Sequence, residues 1–224
     1  MDIYVKEPEQ PAHACVIWMH GLGADSDNMM SLANQLRLTQ PVRHVFLDAP
    51  VRPVTLNNHM PMRAWYDISG VTLNDREDRT GIAASEQQIH QVIEGQIADG
   101  FLARQIYLAG FSQGGAMALY TGLRRSDALG GIVALSAYLP LLSECEALKR
   151  KDLPIFMAVG EYDPIVIPVW TKAVYHWLVS HACDNVALHE YPMEHSVCAA
   201  EIRDLGQWFS QTIETAKLPP REVV

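Results

Sequence analysis

The sequence has few cysteines, no long apolar run and no cluster of basic residues, and each absence excludes a class of protein. The 224-residue chain carries 17 Lys and Arg against 26 Asp and Glu, so its formal charge of −9 argues against nucleic acid as a partner. No uninterrupted apolar segment approaches the ~20 residues of a membrane-spanning helix, so no integral membrane segment is expected. The first residues also lack the basic and apolar regions of a signal peptide.

The four cysteines are scattered and form neither a C-x-x-C pair nor a zinc-binding pattern. No H-E-x-x-H or comparable cluster suggests another metal site, and no G-x-x-x-x-G-K-[ST] segment suggests a nucleoside triphosphate site. We therefore expect no metal, and we interpret the cysteines as reduced thiols of a cytoplasmic protein. They are Cys15, Cys145, Cys183 and Cys198.

Apolar runs alternate with helical patterns along most of the chain. The runs near residues 15, 105, 131 and 155 are continuous, as in strands that helices cover on both faces of a parallel sheet. Helices are predicted at 26–38, 80–97, 113–124, 168–181 and 198–216. This order predicts a single α/β domain over 1–224, with its core at about 10–215 and a loose tail at 217–224. The proline-containing region 50–79 is predicted to be a long irregular loop.

The stretch Gly110-Phe111-Ser112-Gln113-Gly114 follows a strand and precedes a helix. This is the G-x-S-x-G pattern of a nucleophile elbow, in which a serine stands on a sharp, strained turn. Side chains two residues before and after would collide in such a turn, so glycine is required there. Ser112 is therefore the predicted nucleophile; the alternative is a glycine-rich turn that only packs a helix against a sheet.

A serine nucleophile needs a histidine base, and that histidine needs a carboxylate to orient it. In α/β-hydrolases the order along the chain is serine, acid, histidine. Asp163 follows the strand predicted at 155–159 and precedes Pro164, which closes the turn; Glu161 is the rival. The alternative role for Asp163 is a helix cap.

The base must come from the nine histidines, and only some follow the acid at a useful separation. His181 lies at a predicted helix end and His189 inside a predicted strand. His195 lies in a strand-to-helix loop, so we predict that it is the base.

The oxyanion of an acyl-transfer intermediate needs two preorganised N–H donors. One is predicted to be the backbone N–H of Gln113, the residue after the nucleophile. The other is assigned to Leu22 N–H in His20-Gly21-Leu22-Gly23, with His20 shaping the loop. The same loop partly matches a dinucleotide fingerprint, Gly21-x-Gly23-x-x-Ser26 with Asp48 downstream, but the third glycine is missing.

At this point the sequence resembles the small carboxylesterases and acyl-protein thioesterases of the α/β-hydrolase fold. The resemblance covers about residues 10–215. It is carried by the 20–23 loop, the Ala49–Thr55 stretch, Ala64-Trp65-Tyr66-Asp67, the elbow, Asp163-Pro164 and His195-Ser196. Two departures are Ala24 before Asp25, which could move the oxyanion loop slightly, and Glu161-Tyr162 before Asp163.

The resemblance implies a cofactor-free serine hydrolase with a mostly parallel central sheet and helices on both faces. It implies the roles given above for Ser112, Asp163, His195, Leu22 and Gln113, a small acyl ester or thioester substrate, and a possible homodimer. It also implies a shallow apolar acyl groove under the 50–79 region. Candidates for that groove are Trp65, Leu73, Met60 and Met62, each with ordinary packing as the alternative.

The functional hypothesis is a carboxylesterase that forms an acyl-enzyme on Ser112. The same chemistry serves an acyl-protein thioesterase or a lysophospholipase, so these remain alternatives. A non-catalytic binding protein of the same fold is a further alternative, although it would need no complete triad.

Overall fold

A computed structural model describes residues 1–70, 77–145 and 151–216. The strands are β1 (Asp2–Lys6), β2 (Ala14–Met19), β3 (Val42–Asp48), β4 (Val51–Val54), β5 (Met60–Arg63), β6 (Ile106–Phe111), β7 (Gly131–Leu135), β8 (Ile155–Gly160) and β9 (Val186–Tyr191). The α-helices are α1 (Ser26–Ala33), α2 (Arg79–Ala98), α3 (Gln113–Arg124), α4 (Pro168–Ser180) and α5 (Ala199–Ala216).

Seven strands form one sheet in the order β1-β3-β2-β6-β7-β8-β9. All neighbours are parallel except β1, which pairs antiparallel with β3 at one edge. Strands β6, β7 and β8 lie side by side, so the loops after them open at one edge of the sheet. This is the mostly parallel α/β-hydrolase sheet that the sequence predicts.

Helices cover both faces of the sheet, which explains why the central strands are apolar throughout. Within β2, Cys15, Ile17 and Met19 pack in a cluster with residues of α2, α3 and α4. The alternate residues Ala14, Val16 and Trp18 pack against α1 and α5. Within the described part of the chain, no helix is long and apolar enough to cross a membrane.

Three local predictions differ from the structure. Strand β1 was not predicted from the sequence. Its five residues are all exposed, and the strand is held by pairing with β3. The β4–β5 hairpin, inside the region predicted as irregular, was not predicted either. There Pro53 and Pro61 stand opposite each other, a placement that an isolated two-stranded ribbon tolerates. Helix α1 ends at Ala33, after which the chain continues in tighter turns. The tail 217–224 lies outside the described residues.

Candidate active site

Ser112 occupies a strained turn between β6 and α3. Its φ of 53° and ψ of −119° lie in a region that non-glycine residues rarely adopt. The Ser112 N–H donates to Leu135 O at 2.8 Å, so the neighbouring strand β7 holds the turn. The backbone of this turn is therefore fixed by the sheet itself.

The flanking glycines are required by close backbone contacts. A Cβ on Gly110 would lie 2.3 Å from the carbonyl carbon of Gly114. A Cβ on Gly114 would lie 2.1 Å from Met19 O at the end of β2. The first contact is the collision within the turn that the sequence suggested, whereas the second involves a different strand. Any larger residue at either position would push the helix away from the sheet.

Ser112, His195 and Asp163 form a continuous row of hydrogen bonds. His195 Nε2 lies 3.0 Å from Ser112 Oγ, and His195 Nδ1 lies 2.7 Å from Asp163 Oδ2. Asp163 is only 2% exposed, and its Oδ1 accepts hydrogen bonds from the backbone N–H groups of Ile165 and Val166, both at 2.9 Å. The buried carboxylate is thus fully satisfied and has one oxygen directed to the histidine.

The loops that carry the acid and the histidine are bound directly to each other. Glu161 N–H donates to Tyr191 O at 2.8 Å, and Tyr162 N–H donates to Met193 O at 3.1 Å. A Cβ on Gly160 would lie 2.4 Å from Met193 O, so only glycine allows this approach. These contacts set the separation between Asp163 and His195.

The rival residues lie elsewhere. Glu161 is exposed, outside the row. His181 ends α4, where its Nδ1 contacts Trp177 O at 2.8 Å. His189 lies within β9 and stacks on Phe156, with ring centroids 4.6 Å apart. The structure therefore brings together the three residues that the sequence reading selected.

The glycine loop lies directly against the nucleophile. A Cβ on Gly21 would lie 3.3 Å from the Cβ of Ser112, and Gly23 has a φ of +74°, which favours glycine. The Gly23 N–H donates to Arg63 O at 2.8 Å, which ties the loop to β5. Among the described residues, no group accepts a hydrogen bond from the backbone N–H of Leu22 or Gln113.

Known proteins resemble the chain as a whole, beyond this arrangement of serine, histidine and carboxylate. The model of the phospholipase/carboxylesterase family matches residues 1–213. The chain belongs to the phospholipase/carboxylesterase family. It is a serine hydrolase of that family.

Individual members of the family resemble the chain over most of its length. It is 39% identical to acyl-protein thioesterase 1 of Schizosaccharomyces pombe over 81% of this chain and 82% of the relative. It is 35% identical to acyl-protein thioesterase 1 of Mycosarcoma maydis, over 89% and 91%. The crystal structure of Arabidopsis thaliana SOBER1 superposes with a TM-score of 0.83 at 25% identity, covering 89% of this chain and 99% of SOBER1.

His20 shapes the glycine loop. Its side chain is fully buried, and burial lowers its pKa below the ordinary value, so the ring is neutral. Nδ1–H donates to Gly21 O at 2.7 Å, and Nε2 accepts from Ala49 N–H at 3.0 Å. With both ring nitrogens used, His20 does not serve as a second base.

The geometry does not support the dinucleotide alternative, because side chains of the protein already bind the N–H groups at the start of α1. Ser26 N–H donates to Asp48 Oδ1 at 2.7 Å, and Asp48 Oδ2 also pairs with Arg63 at 3.0 Å. Asp25 caps the same helix by accepting from Asp27 N–H, so Asp25 has a structural role. The amides that would face a phosphate already face carboxylates.

The candidates for the acyl groove lie in different environments. Trp65 is fully buried and its indole donates to His20 O at 2.9 Å, which supports ordinary packing over a place in the groove. Met60 is 60% exposed, at the start of β5. Met62 is half-buried, and its sulfur lies 3.6 Å from the position of a Cβ on Gly23. Leu73 lies outside the described residues.

Sequence reasoning missed two residues, Phe111 and Arg63, and one side-chain contact that shape the site. Phe111 packs its ring against His195, with centroids 4.7 Å apart; its place inside the G-x-S-x-G pattern was an available signal. The side chain of Gln113 bonds to the backbone of residues 65 and 66, a contact with no local signal. Arg63 holds both Asp48 and Gly23, but it lies in the missed hairpin.

Proposed function

We propose that the protein hydrolyses acyl thioesters and acyl esters with Ser112 as nucleophile, His195 as base and Asp163 as the carboxylate that orients the base. One observation carries the proposal. The His195 ring spans from Asp163 Oδ2 at 2.7 Å to Ser112 Oγ at 3.0 Å, on a serine whose backbone is strained into an elbow. That is the arrangement that serine acyl transfer requires.

The mechanism follows from these contacts. His195 Nε2 takes the Ser112 proton as Oγ attacks the acyl carbonyl carbon, and Asp163 stabilises the imidazolium through Nδ1–H. The carbonyl oxygen becomes an oxyanion that accepts from Leu22 and Gln113 N–H. The intermediate collapses, the proton passes from His195 to the leaving oxygen or sulfur, and an acyl-enzyme remains.

Deacylation repeats these steps with water in place of serine. His195 takes a proton from the water as it attacks the acyl carbon, and then returns a proton to Ser112 as the acid leaves. The reaction needs no cofactor, because the serine supplies the nucleophile and the backbone supplies the oxyanion donors.

We favour an acyl thioester on a protein as the substrate. This choice is supported by the relatives at 35% and 39% identity, which are named acyl-protein thioesterases. The second candidate is a carboxylic ester or lysophospholipid, which the description of the family model supports. In either case we place Met62 beside the acyl chain, since its flexible apolar side chain lies against the glycine loop.

The test is the initial rate on acyl p-nitrophenyl esters and matched thioesters of increasing length, for wild type and Ser112→Ala. We expect kcat/KM to fall at least about 10⁴-fold in Ser112→Ala, and a fluorophosphonate probe to label the wild type alone. Ser180→Ala, a serine at the far end of α4, is the control with unchanged rates.

Three results would change the assignment. Undiminished hydrolysis by Ser112→Ala would exclude Ser112 as nucleophile. A wild type that neither turns over any substrate nor reacts with the probe would support the non-catalytic binding protein. A higher kcat/KM for oxygen esters than for matched thioesters would favour the carboxylesterase.

A further inference from the structure

Trp65 lies at the centre of a buried group of hydrogen bonds beside the glycine loop. Its side chain has no exposed surface, and its indole Nε1–H donates to His20 O at 2.9 Å. The His20 and Trp65 rings also face each other, with centroids 5.5 Å apart. The indole therefore fixes the backbone at the first residue of the loop.

A hydrogen bond from the His20 ring links this group to Leu22, the proposed oxyanion donor in the glycine loop. His20 Nδ1–H donates to Gly21 O at 2.7 Å. The Gly21 carbonyl and the Leu22 N–H belong to the same planar peptide group. In a trans peptide these two groups point in opposite directions, so holding the carbonyl on His20 aims the Leu22 N–H away from the ring.

The backbone of Trp65 is bound to the second donor residue. Trp65 N–H donates to Gln113 Oε1 at 2.9 Å, and Gln113 Nε2 donates to Tyr66 O at 2.8 Å. Ser85 Oγ from α2 donates to Trp65 O. Gln113 is the first residue of α3, and its own N–H is the other proposed oxyanion donor. Trp65 is thus bonded to Gln113, one of the two proposed donor residues, and to His20, which lies two residues before the other.

We propose that Trp65 is a positioning residue for the oxyanion hole, acting through His20 on Leu22 and through the side chain of Gln113 on α3. This inference rests on the proposed function. Oxyanion donors work only when they lie about 2.7–3.1 Å from the developing charge. A displacement of about 1 Å can cost about 10²-fold in rate. Trp65 holds one side of the hole through its indole on His20 and the other through its backbone N–H on Gln113, and so influences catalysis without contacting substrate.

The test compares Trp65→Phe with Trp18→Phe. Trp18 is also fully buried and its indole also donates one hydrogen bond, to His44 Nδ1 at 3.0 Å, but it packs on the face of α1 and α5. Both substitutions remove one buried indole hydrogen bond and leave a smaller ring. The two variants thus share a structural cost and differ in their connection to the site.

We expect Trp65→Phe to lower kcat about 10- to 100-fold on a short p-nitrophenyl ester, with KM little changed. Affinity for an alkyl trifluoromethyl ketone, which forms a tetrahedral oxyanion on the serine, should fall by the same factor. Trp18→Phe should keep both values within about twofold of wild type. Fluorophosphonate titration of active sites corrects each rate for the folded fraction.

Ser85→Ala provides a milder variant if Trp65→Phe folds poorly. It removes one of the bonds that hold Trp65 and should lower kcat severalfold, again with little change in KM. The inference is overturned if Trp65→Phe keeps wild-type kcat, if both tryptophan variants lose kcat equally, or if ketone affinity stays constant while kcat falls. If Ser85→Ala is the only folded variant, wild-type kcat in it overturns the inference. Absence of Ser112-dependent turnover in wild type overturns the proposed function as well.

Discussion

The two edges of the central sheet differ: the carboxyl edge holds the candidate active site, and the amino edge holds an open cavity. At the carboxyl edge, Ser112, Asp163 and His195 follow β6, β8 and β9. At the amino edge, an open cavity of about 570 Å³ lies between the β1–β2 connection and the end of α2. Its charged centre is Arg43, which bonds to Glu7 at 2.8 Å, Asp99 at 2.8 Å and Gln96 at 3.0 Å.

The two edges differ in how far their polar groups are already hydrogen-bonded. In the cavity, the Arg43 guanidinium already donates to acceptors of the protein, so few of its N–H groups could bind a ligand. At the carboxyl edge, the amides of Leu22 and Gln113 have no acceptor within the residues that the structure describes. Donors without an acceptor, beside a histidine and a buried carboxylate, distinguish the candidate site from the cavity.

A matched pair of aspartates gives the largest expected contrast between the edges. Asp163→Asn should lower kcat about 10⁴-fold, because the amide no longer stabilises the imidazolium or selects the correct tautomer. Asp99→Asn weakens only a partly exposed ion pair with Arg43 and should leave kcat/KM unchanged. Steady-state kinetics of both variants measure this, and a loss of activity in Asp99→Asn would show that the amino edge contributes to catalysis.

A matched pair of methionines tests how far the site extends along the hairpin. Met62→Ala should shift the acyl-length preference by lowering kcat/KM severalfold for long chains, since the lost apolar contact is worth about 0.8 kcal/mol per methylene buried. Met60→Ala changes an exposed side chain and should keep the wild-type profile. Equal profiles in both variants would place the acyl chain elsewhere.

The smallest effect on activity is expected at Glu201, near the start of α5. This side chain is fully buried, and burial raises its pKa to about 8. One carboxyl oxygen accepts from Cys198 N–H at 3.4 Å, and the other has no partner among the described residues. Unlike Arg43 at the amino edge, this group is incompletely satisfied and is protonated near neutral pH.

The sign of its pH dependence follows from that raised pKa. Between pH 4.5, the ordinary pKa, and about pH 8, the folded protein holds a proton that the unfolded chain has lost. The free energy of unfolding therefore falls as the pH rises through this range. Glu201→Gln lacks this proton. The unfolding free energy of Glu201→Gln minus that of wild type should therefore rise by on the order of 3 kcal/mol from pH 5 to pH 8. Urea unfolding measures this, with the exposed Glu194→Gln as a control that shows no gain.

The sequence predicted the central sheet and the row from Ser112 to His195 because those features have local signatures. Continuous apolar strands identify the parallel core, and the glycines at 110 and 114 identify a turn that permits no other side chain there. Asp163 and His195 were found because strand-to-loop junctions in a parallel sheet open at one edge. The strand and turn signatures needed only residues close together in the chain, and the order serine, acid, histidine then selected among the loops.

The missed features depend on contacts between distant residues. Strand β1 is exposed throughout and exists by pairing with β3, so its own pattern has no buried face. From the sequence, Trp65 is a candidate for the acyl groove with ordinary packing as the alternative. In the structure it bonds to His20 and Gln113, which are 45 and 48 positions away. Hydrogen bonds of that range leave no periodic trace in the sequence.

The bonds around Trp65 also have a consequence for recombination between homologous genes. The loop at 20–23, the segment at 64–66 and the residue after the nucleophile are held by contacts with one another, although they are far apart in the chain. A crossover placed between residues 23 and 64 would join a loop from one parent to a tryptophan segment from the other. Shuffled libraries should therefore keep these segments from the same parent, even where the surrounding strands exchange freely.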